Sequence, residues 1–254
     1  MAPAAGWYLD RRSRVHRLPP QTKVAATLVF TLAVVATPRE RFWAFAAYAV
    51  LVAAVAAAAR VPARWLLTRA LIELPFVLFA LALPLLSAGD RVRWLGVPLS
   101  VEGLYGGWNI LAKGTLGVLA ALLLAATTAP RDIVLGLDRL RCPPTLTQIA
   151  TFMLRYLEVL AGEAARMRLA RLSRGDDPRF LWQVRGFAAG VGALFLRAFE
   201  RGERVYRAML ARGYTGRLPD AGAGGGVATA AQWALAGSVP AAAAAVAAAA
   251  LVLR

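Results

Sequence analysis

Five apolar runs constrain the folding of this chain more than any other feature. They cover residues 24–37, 42–59, 70–88, 104–129 and 229–253. A helix needs ~20 residues to cross the ~30 Å hydrocarbon core of a bilayer. Inside lipid, a helix pairs all its own backbone N–H and C=O groups. The first run is short for a full span and extends backwards past Lys23, whose ammonium can snorkel to the interface. Pro75 and Pro84 predict kinks in the third, and Pro240 a bend in the fifth. Lys113 lies inside the fourth, where it must face protein or snorkel rather than meet lipid. The Ala-rich fifth run suits close helix packing.

Composition agrees and adds a puzzle. Hydrophobic residues make up 59% of the 254, against ~45–50% in soluble domains. The formal net charge is nevertheless +16. A soluble nucleic-acid binder shares that charge but not the hydrophobicity, so the two properties must be segregated along the chain. They are: residues 130–218 carry sixteen Arg and eight Asp or Glu. This divides the chain into an N-terminal membrane region (1–129, four transmembrane helices), a cytoplasmic region (130–218), and a linker with a C-terminal transmembrane helix (219–254).

Basic residues also set orientation. With the N-terminus in the cytoplasm, 24 positive residues fall on the cytoplasmic side and five (Arg39, Arg41, Arg91, Arg93, Arg254) on the other, with Lys113 between. That asymmetry favours a multi-pass protein whose N-terminus and basic region are cytoplasmic. The polar start lacks the pattern of a cleavable signal peptide.

The basic region reads as two long helices. The first opens at Cys142-Pro143-Pro144, with proline at a helix start, and runs to about Ser173. Met153, Leu157, Leu160, Ala164 and Met167 recur along it in steps of three and four. The second runs from about Arg179 to Arg212, with Phe195, Phe199, Gly202, Val205 and Met209 in a similar stripe. Glu200–Arg204 and Glu203–Arg207 are i,i+4 pairs that support an exposed face. Gly186, Gly190 and Ala193 form a small-residue surface open to another helix. Asp176-Asp177, before Pro178, reads as a turn and the acidic start of the second helix.

Both helices end in the same way. Arg166-x-x-x-Ala170-x-Leu172-Ser173-Arg174-Gly175 matches Arg204-x-x-x-Ala208-x-Leu210-Ala211-Arg212-Gly213 at an offset of 38. A helix stop explains only the final Arg-Gly: a cation meets the negative end of the macrodipole and glycine supplies the left-handed residue. The agreement spans a full helical end. A helix ending in Arg-Gly projects a planar, permanently charged guanidinium able to grip a carboxylate through two hydrogen bonds. The small Ser173 or Ala211 beside each Arg lets the tip enter a narrow groove. Two tips can plug into two acidic pockets, and truncating a buried Arg of such a pair costs roughly 2–5 kcal/mol.

The segments "MLRYLEVLAGEAARMRLARLSRG" and "LFLRAFERGERVYRAMLARGYTG" resemble the two coupling helices of the transmembrane T component of energy-coupling-factor (ECF) transporters, most closely its cobalt-type, CbiQ-like branch. "SRVHRLPPQTKVAATLVFTLAVV" resembles the start of that branch, with Pro19 and Gln21 in place of its usual Asp and Arg. The first tip reads Ser-Arg-Gly where the family often has Ala-Arg-Gly.

The resemblance implies a non-catalytic subunit that couples two cytoplasmic P-loop ATPases to a substrate-capturing membrane subunit in the bacterial inner membrane. Cobalt ion is the implied cargo. Ser173, Arg174, Gly175, Ala211, Arg212 and Gly213 would bind the ATPases. ATP would belong to those partners and the metal to the membrane partner, leaving no cofactor in this chain and no nucleic acid among its ligands.

The residues themselves agree. The sequence has no Gly-x-x-x-x-Gly-Lys-Ser/Thr, and Lys113-Gly114-Thr115 lacks the preceding glycines. His16 stands alone in a basic stretch and reads as solvated or interfacial; Cys142, beside two prolines, reads as a small apolar residue. Glu73, near Arg69, reads as one half of a local ion pair. The competing reading is a membrane-anchored basic module binding anionic lipid or nucleic acid, whose positives would be dispersed over a face and whose binding would weaken smoothly with salt.

Overall fold

The computed structural model describes residues 7–11, 13–87, 91–94, 97–175, 184–216 and 228–252. Asp176, Asp177 and the expected start of the second coupling helix near Arg179 lie outside them. The chain forms two compact units, residues 1–140 with 225–254, and residues 141–224. The architecture is that of an all-α polytopic membrane protein, with one two-stranded hairpin among the described residues.

The first unit holds α1 (Pro20–Ala36), α2 (Phe42–Ala58), α3 (Ala63–Ala70), α4 (Leu74–Leu86), α5 (Val101–Thr127), α6 (Pro130–Arg139) and α9 (Ala230–Val252). Among the described residues, three stretches are long and apolar enough to cross a membrane: Ala63–Leu86, Val101–Thr127 and Ala230–Val252. The helices α1 and α2 are apolar but shorter, with 17 residues each. Phe76, Phe79, Leu81 and Leu85 of α4 all point outward, a surface suited to lipid.

Local chemistry explains the breaks. The third run is divided at a 3-10 turn, Leu71–Glu73, just ahead of Pro75; proline has no N–H to extend a preceding helix. Within α1 and at its end, the hydroxyls of Thr27, Thr31 and Thr37 donate to the carbonyls of Lys23, Thr27 and Ala33, four residues back. The helix thus satisfies its own polar side chains. Ser100 caps α5 by accepting from the Gly103 N–H. The strands β1 (Arg91–Trp94) and β2 (Val97–Ser100) pair antiparallel between α4 and α5. The basic region divides at its start: α6 belongs to the first unit and Gly136 packs it closely on the Pro20–Gln21 backbone of α1.

The helix α5 is the spine of this unit. It meets α4 through glycine: a Cβ at Gly103 would lie 2.6 Å from the Leu83 carbonyl oxygen, and one at Gly107 2.6 Å from that of Ala80. Small residues at such contacts let backbones approach where lipid offers no hydrophobic drive for association. Two lysines lash α5 antiparallel to α1. Lys23 Nζ donates to the Thr127 carbonyl and Lys113 Nζ to that of Val35, both at 2.7 Å. Each cation sits on the last turn of the other helix, where carbonyls lack intrahelical partners. Lys113 thus meets protein. The core joins α1, α2, α5 and α9; its fully buried Tyr48 shares a hydrogen bond with Thr37 at 2.7 Å and reaches the Ala243 carbonyl of α9.

Two sequence expectations are refined. Glu73 is buried against Gly114 of α5, while Arg69 lays its guanidinium 4.1 Å from the Trp65 ring centroid. His16 is half-buried and neither ring nitrogen is idle: Nδ1 meets the Ser13 hydroxyl at 2.7 Å and Nε2 the Leu9 carbonyl at 3.0 Å. A carbonyl can only accept, so Nε2 carries the proton and Nδ1 accepts from Ser13. Burial lowers the His16 pKa, keeping the ring neutral.

Candidate docking site at two helix tips

The second unit is built on α7 (Pro144–Leu172) and α8 (Val184–Ala211). Pro144 starts α7 where its missing N–H is not needed. The two helices are held antiparallel by three sets of contacts. Glu163 of α7 accepts from Arg197 at 3.0 Å and Arg201 at 3.3 Å of α8. A Cβ at Gly190 would meet Arg171, nearer the end of α7. At the start of α7, Gln148 accepts from the Tyr214 hydroxyl and donates to the Gly216 carbonyl.

The two ends repeat in backbone geometry, not only in letters. The N–H groups of Arg174 and Gly175 donate to the carbonyls of Arg171 and Leu172, each at 3.0 Å. Those of Arg212 and Gly213 donate to Met209 and Leu210, also at 3.0 Å. All four bonds reach back three residues. Gly175 has φ +79° and Gly213 φ +82°. Tyr214 N–H then bonds the Met209 carbonyl, completing a Schellman closure at the second tip. Space does not require these glycines, since an added Cβ would meet nothing within 4 Å at either one. The positive φ favours glycine at both positions. Elsewhere Arg60 and Arg141, at the ends of α2 and α6, take the left-handed conformation themselves, with φ 56° and 63°. The Arg-Gly ending is therefore a distinct device in this chain.

All six expected site residues, Ser173, Arg174, Gly175, Ala211, Arg212 and Gly213, are exposed. The Ser173 hydroxyl is spent on its own helix, donating to the Leu169 carbonyl at 3.0 Å. No ion pair joins Arg174 or Arg212 to another of the described residues. The antiparallel pairing separates them. Arg212 lies two residues before Tyr214, which is held at Gln148; Arg174 lies 26 residues further along the α7 line, or ~40 Å at 1.5 Å per residue. One unit thus presents two equivalent cationic tips at opposite ends.

Several other charges on these helices are internally engaged. Arg204–Glu200 and Arg207–Glu203 pair at 3.8 and 3.4 Å, as their i,i+4 spacing predicts. Glu163 is held below the usual carboxylate range, first by its hydrogen bond from Arg197 and then by the nearby guanidinium charges. Sequence reasoning missed both the Glu163 fork and the Gln148–Tyr214 clamp, because contacts across 34 and 66 residues leave no helical periodicity. Met153 and Leu157 of α7 and Phe195 and Phe199 of α8, the first members of the expected apolar stripes, are exposed within the unit, while Leu160, Ala164, Met167, Val205 and Met209 are half-buried. Patches of this kind mark interaction surfaces.

Known proteins match most of the chain. The profile of the family described as CbiQ, cobalt transport protein, matches residues 11–221. An energy-coupling factor transporter transmembrane protein, EcfT, of Heliobacterium modesticaldum is 31% identical over 225 residues, covering 83% of this chain and 84% of its own. The protein of that name from Thermanaerovibrio acidaminovorans is 30% identical over 224 residues, covering 83% and 82%. The cobalt transport protein CbiQ of Rhodobacter capsulatus is 31% identical over 161 residues, covering 63% and 64%. Residues 11–221 contain four of the five apolar runs and both Arg-Gly tips, and on that match the chain belongs to the CbiQ family of membrane transport proteins.

Proposed function

We propose that this chain is the transmembrane coupling subunit of an ECF-type importer, carrying ATP-driven motion of two cytoplasmic ATPases to a substrate-capturing membrane subunit. The duplicated helix tip carries this reading. Arg174 and Arg212 have matched backbone positions, open surroundings and ~40 Å between them along α7. Each enters an acidic groove on one of two equivalent ATPase subunits. A rigid antiparallel pair then converts a change in ATPase spacing into motion of α7 and α8, whose exposed apolar stripes bear on the membrane partner.

The chain itself is non-catalytic and holds no cofactor. ATP is bound by the ATPases and the cargo by the membrane partner. Cobalt ion is the proposed cargo, supported by the description of the matching family and the printed name of the Rhodobacter capsulatus relative. The chain lies in the bacterial inner membrane with its N-terminus, α7 and α8 in the cytoplasm, in keeping with the 24-to-5 distribution of basic residues. Purification from the native source in mild detergent tests the assembly. A P-loop ATPase and a second membrane protein should co-purify, and the intact membranes should take up radiolabelled cobalt in an ATP-dependent manner. A chain that co-purifies with anionic lipid or nucleic acid but no ATPase would contradict the reading.

A further inference from the structure

A cavity of about 430 Å³ opens between α1, α2, α5, α9 and the N-terminal segment. That is within the ~300–1,000 Å³ of small-molecule sites. It exists because small residues line it: Ala26, Ala54, Ala58, Ala120 and Ala236 leave space that larger side chains would fill. Phe30 and Val52 form part of its apolar wall.

Its polarity is one-sided. Arg14 and Lys23 are the only charged side chains among the described lining residues. Asp132 of α6 acts on Lys23 through space but does not line the cavity. Lys23 is 8% exposed and gives one of its three donors to Thr127; Arg14 is exposed. Both cations lie at the end of the bundle formed by the first turn of α1 and the last residue of α5. From there the groove runs along α1 from Lys23 to Phe30 and along α5 from Thr127 to Ala120. Each is seven residues, or ~10 Å. Two cations at the mouth of an apolar groove, at the interfacial end of membrane helices, complement an amphiphile with an anionic head.

We propose that this cavity binds one anionic glycerophospholipid of the surrounding membrane. Its phosphate rests against Arg14 and Lys23, and the first part of one acyl chain fills the groove between α1, α2, α5 and α9. The site is separate from the helix tips and requires only that the first unit be in a membrane, whatever the tips bind.

The test uses the full chain purified in mild detergent and titrated with phosphatidylglycerol or phosphatidylcholine, with bound lipids counted by native mass spectrometry. Wild type should retain one phosphatidylglycerol and bind it more tightly than phosphatidylcholine. A juxtamembrane cation contributes about fivefold in affinity. Arg14→Gln should therefore weaken phosphatidylglycerol about fivefold and weaken phosphatidylcholine, whose choline already offsets its phosphate charge, by less. Ala54→Trp, at an exposed wall position, should abolish retention of either lipid with the thermal unfolding midpoint of the lipid-free protein preserved; Ala58→Phe serves if that variant does not fold. Equal affinity for the two lipids, or a filled cavity that still retains phosphatidylglycerol, would overturn the proposal. So would an assembled transporter holding no lipid there whose Ala54→Trp variant loses a membrane partner, which would mark the groove as a helix dock.

Discussion

Arg174 and Arg212 stand at the same backbone position of two helix ends, each with its N–H bonded to the carbonyl three residues back and a left-handed glycine next in line. The Glu163 fork and the Gln148 clamp hold those ends at opposite extremes of an antiparallel pair. Single substitutions can therefore separate the tip's geometry from its charge.

The glycines govern geometry. Their surroundings are open, so Gly175→Ala or Gly213→Ala meets only the backbone penalty of a left-handed residue, about 1–2 kcal/mol. Asn tolerates that conformation better, so Gly213→Asn should lose less than Gly213→Ala. Thermal unfolding in detergent reads stability, and ATPase retention on the purified subunit reads tip placement. Both should fall in the order wild type, Asn, Ala.

The glycines of α5 act by a different mechanism. At Gly103 and Gly107 an added Cβ runs into carbonyl oxygens of α4 at 2.6 Å, and backbone cannot move aside cheaply. Gly107→Ala should destabilise by about 1–3 kcal/mol through overpacking. Crosslinking between cysteines placed on α4 and α5 should slow as the helices separate.

Lys113 tests the lashing of α1 to α5. Lys113→Met keeps the chain length but leaves the Val35 carbonyl without its donor, a loss of about 1–3 kcal/mol for an unsatisfied group away from water. Lys113→Arg should recover part of it. Unfolding midpoints of the three proteins check the order.

Acid should loosen the N-terminal segment. Burial lowers the His16 pKa below its ordinary 6.5, so the unfolded chain takes up a proton first as pH falls. The stability from the neutral, hydrogen-bonded ring is fully present above 6.5 and is lost as pH drops through the folded value. His16→Gln should flatten that slope. Hydrogen exchange of residues 13–18 between pH 7.5 and 5 measures it.

Much of this was legible because membranes impose simple rules. The apolar run at 42–59 forms the helix Phe42–Ala58, and the long basic helix opening after Pro143 ends at Leu172; prolines flank the first, and a proline and a glycine bound the second. The i,i+4 pairs of α8 were readable for the same local reason. Contacts between elements were not. Nothing in the letters aligns Lys23 with Thr127, 104 residues away, or gives Glu163 two arginine partners on α8. The hairpin β1–β2 was also missed, because four-residue strands carry too little alternation to stand out. The six tip residues stand out in the sequence because their pattern is written twice.

The most direct test of the coupling account is ATPase retention by the Arg174→Glu/Arg212→Glu double variant, expressed with its partner subunits and purified from membranes. The variant should reach the membrane in normal amount and lose ATPase co-purification together with transport. An Arg168→Glu control, carrying the same kind of charge change before the tip, should keep both. Normal ATPase retention by the double variant would contradict the account.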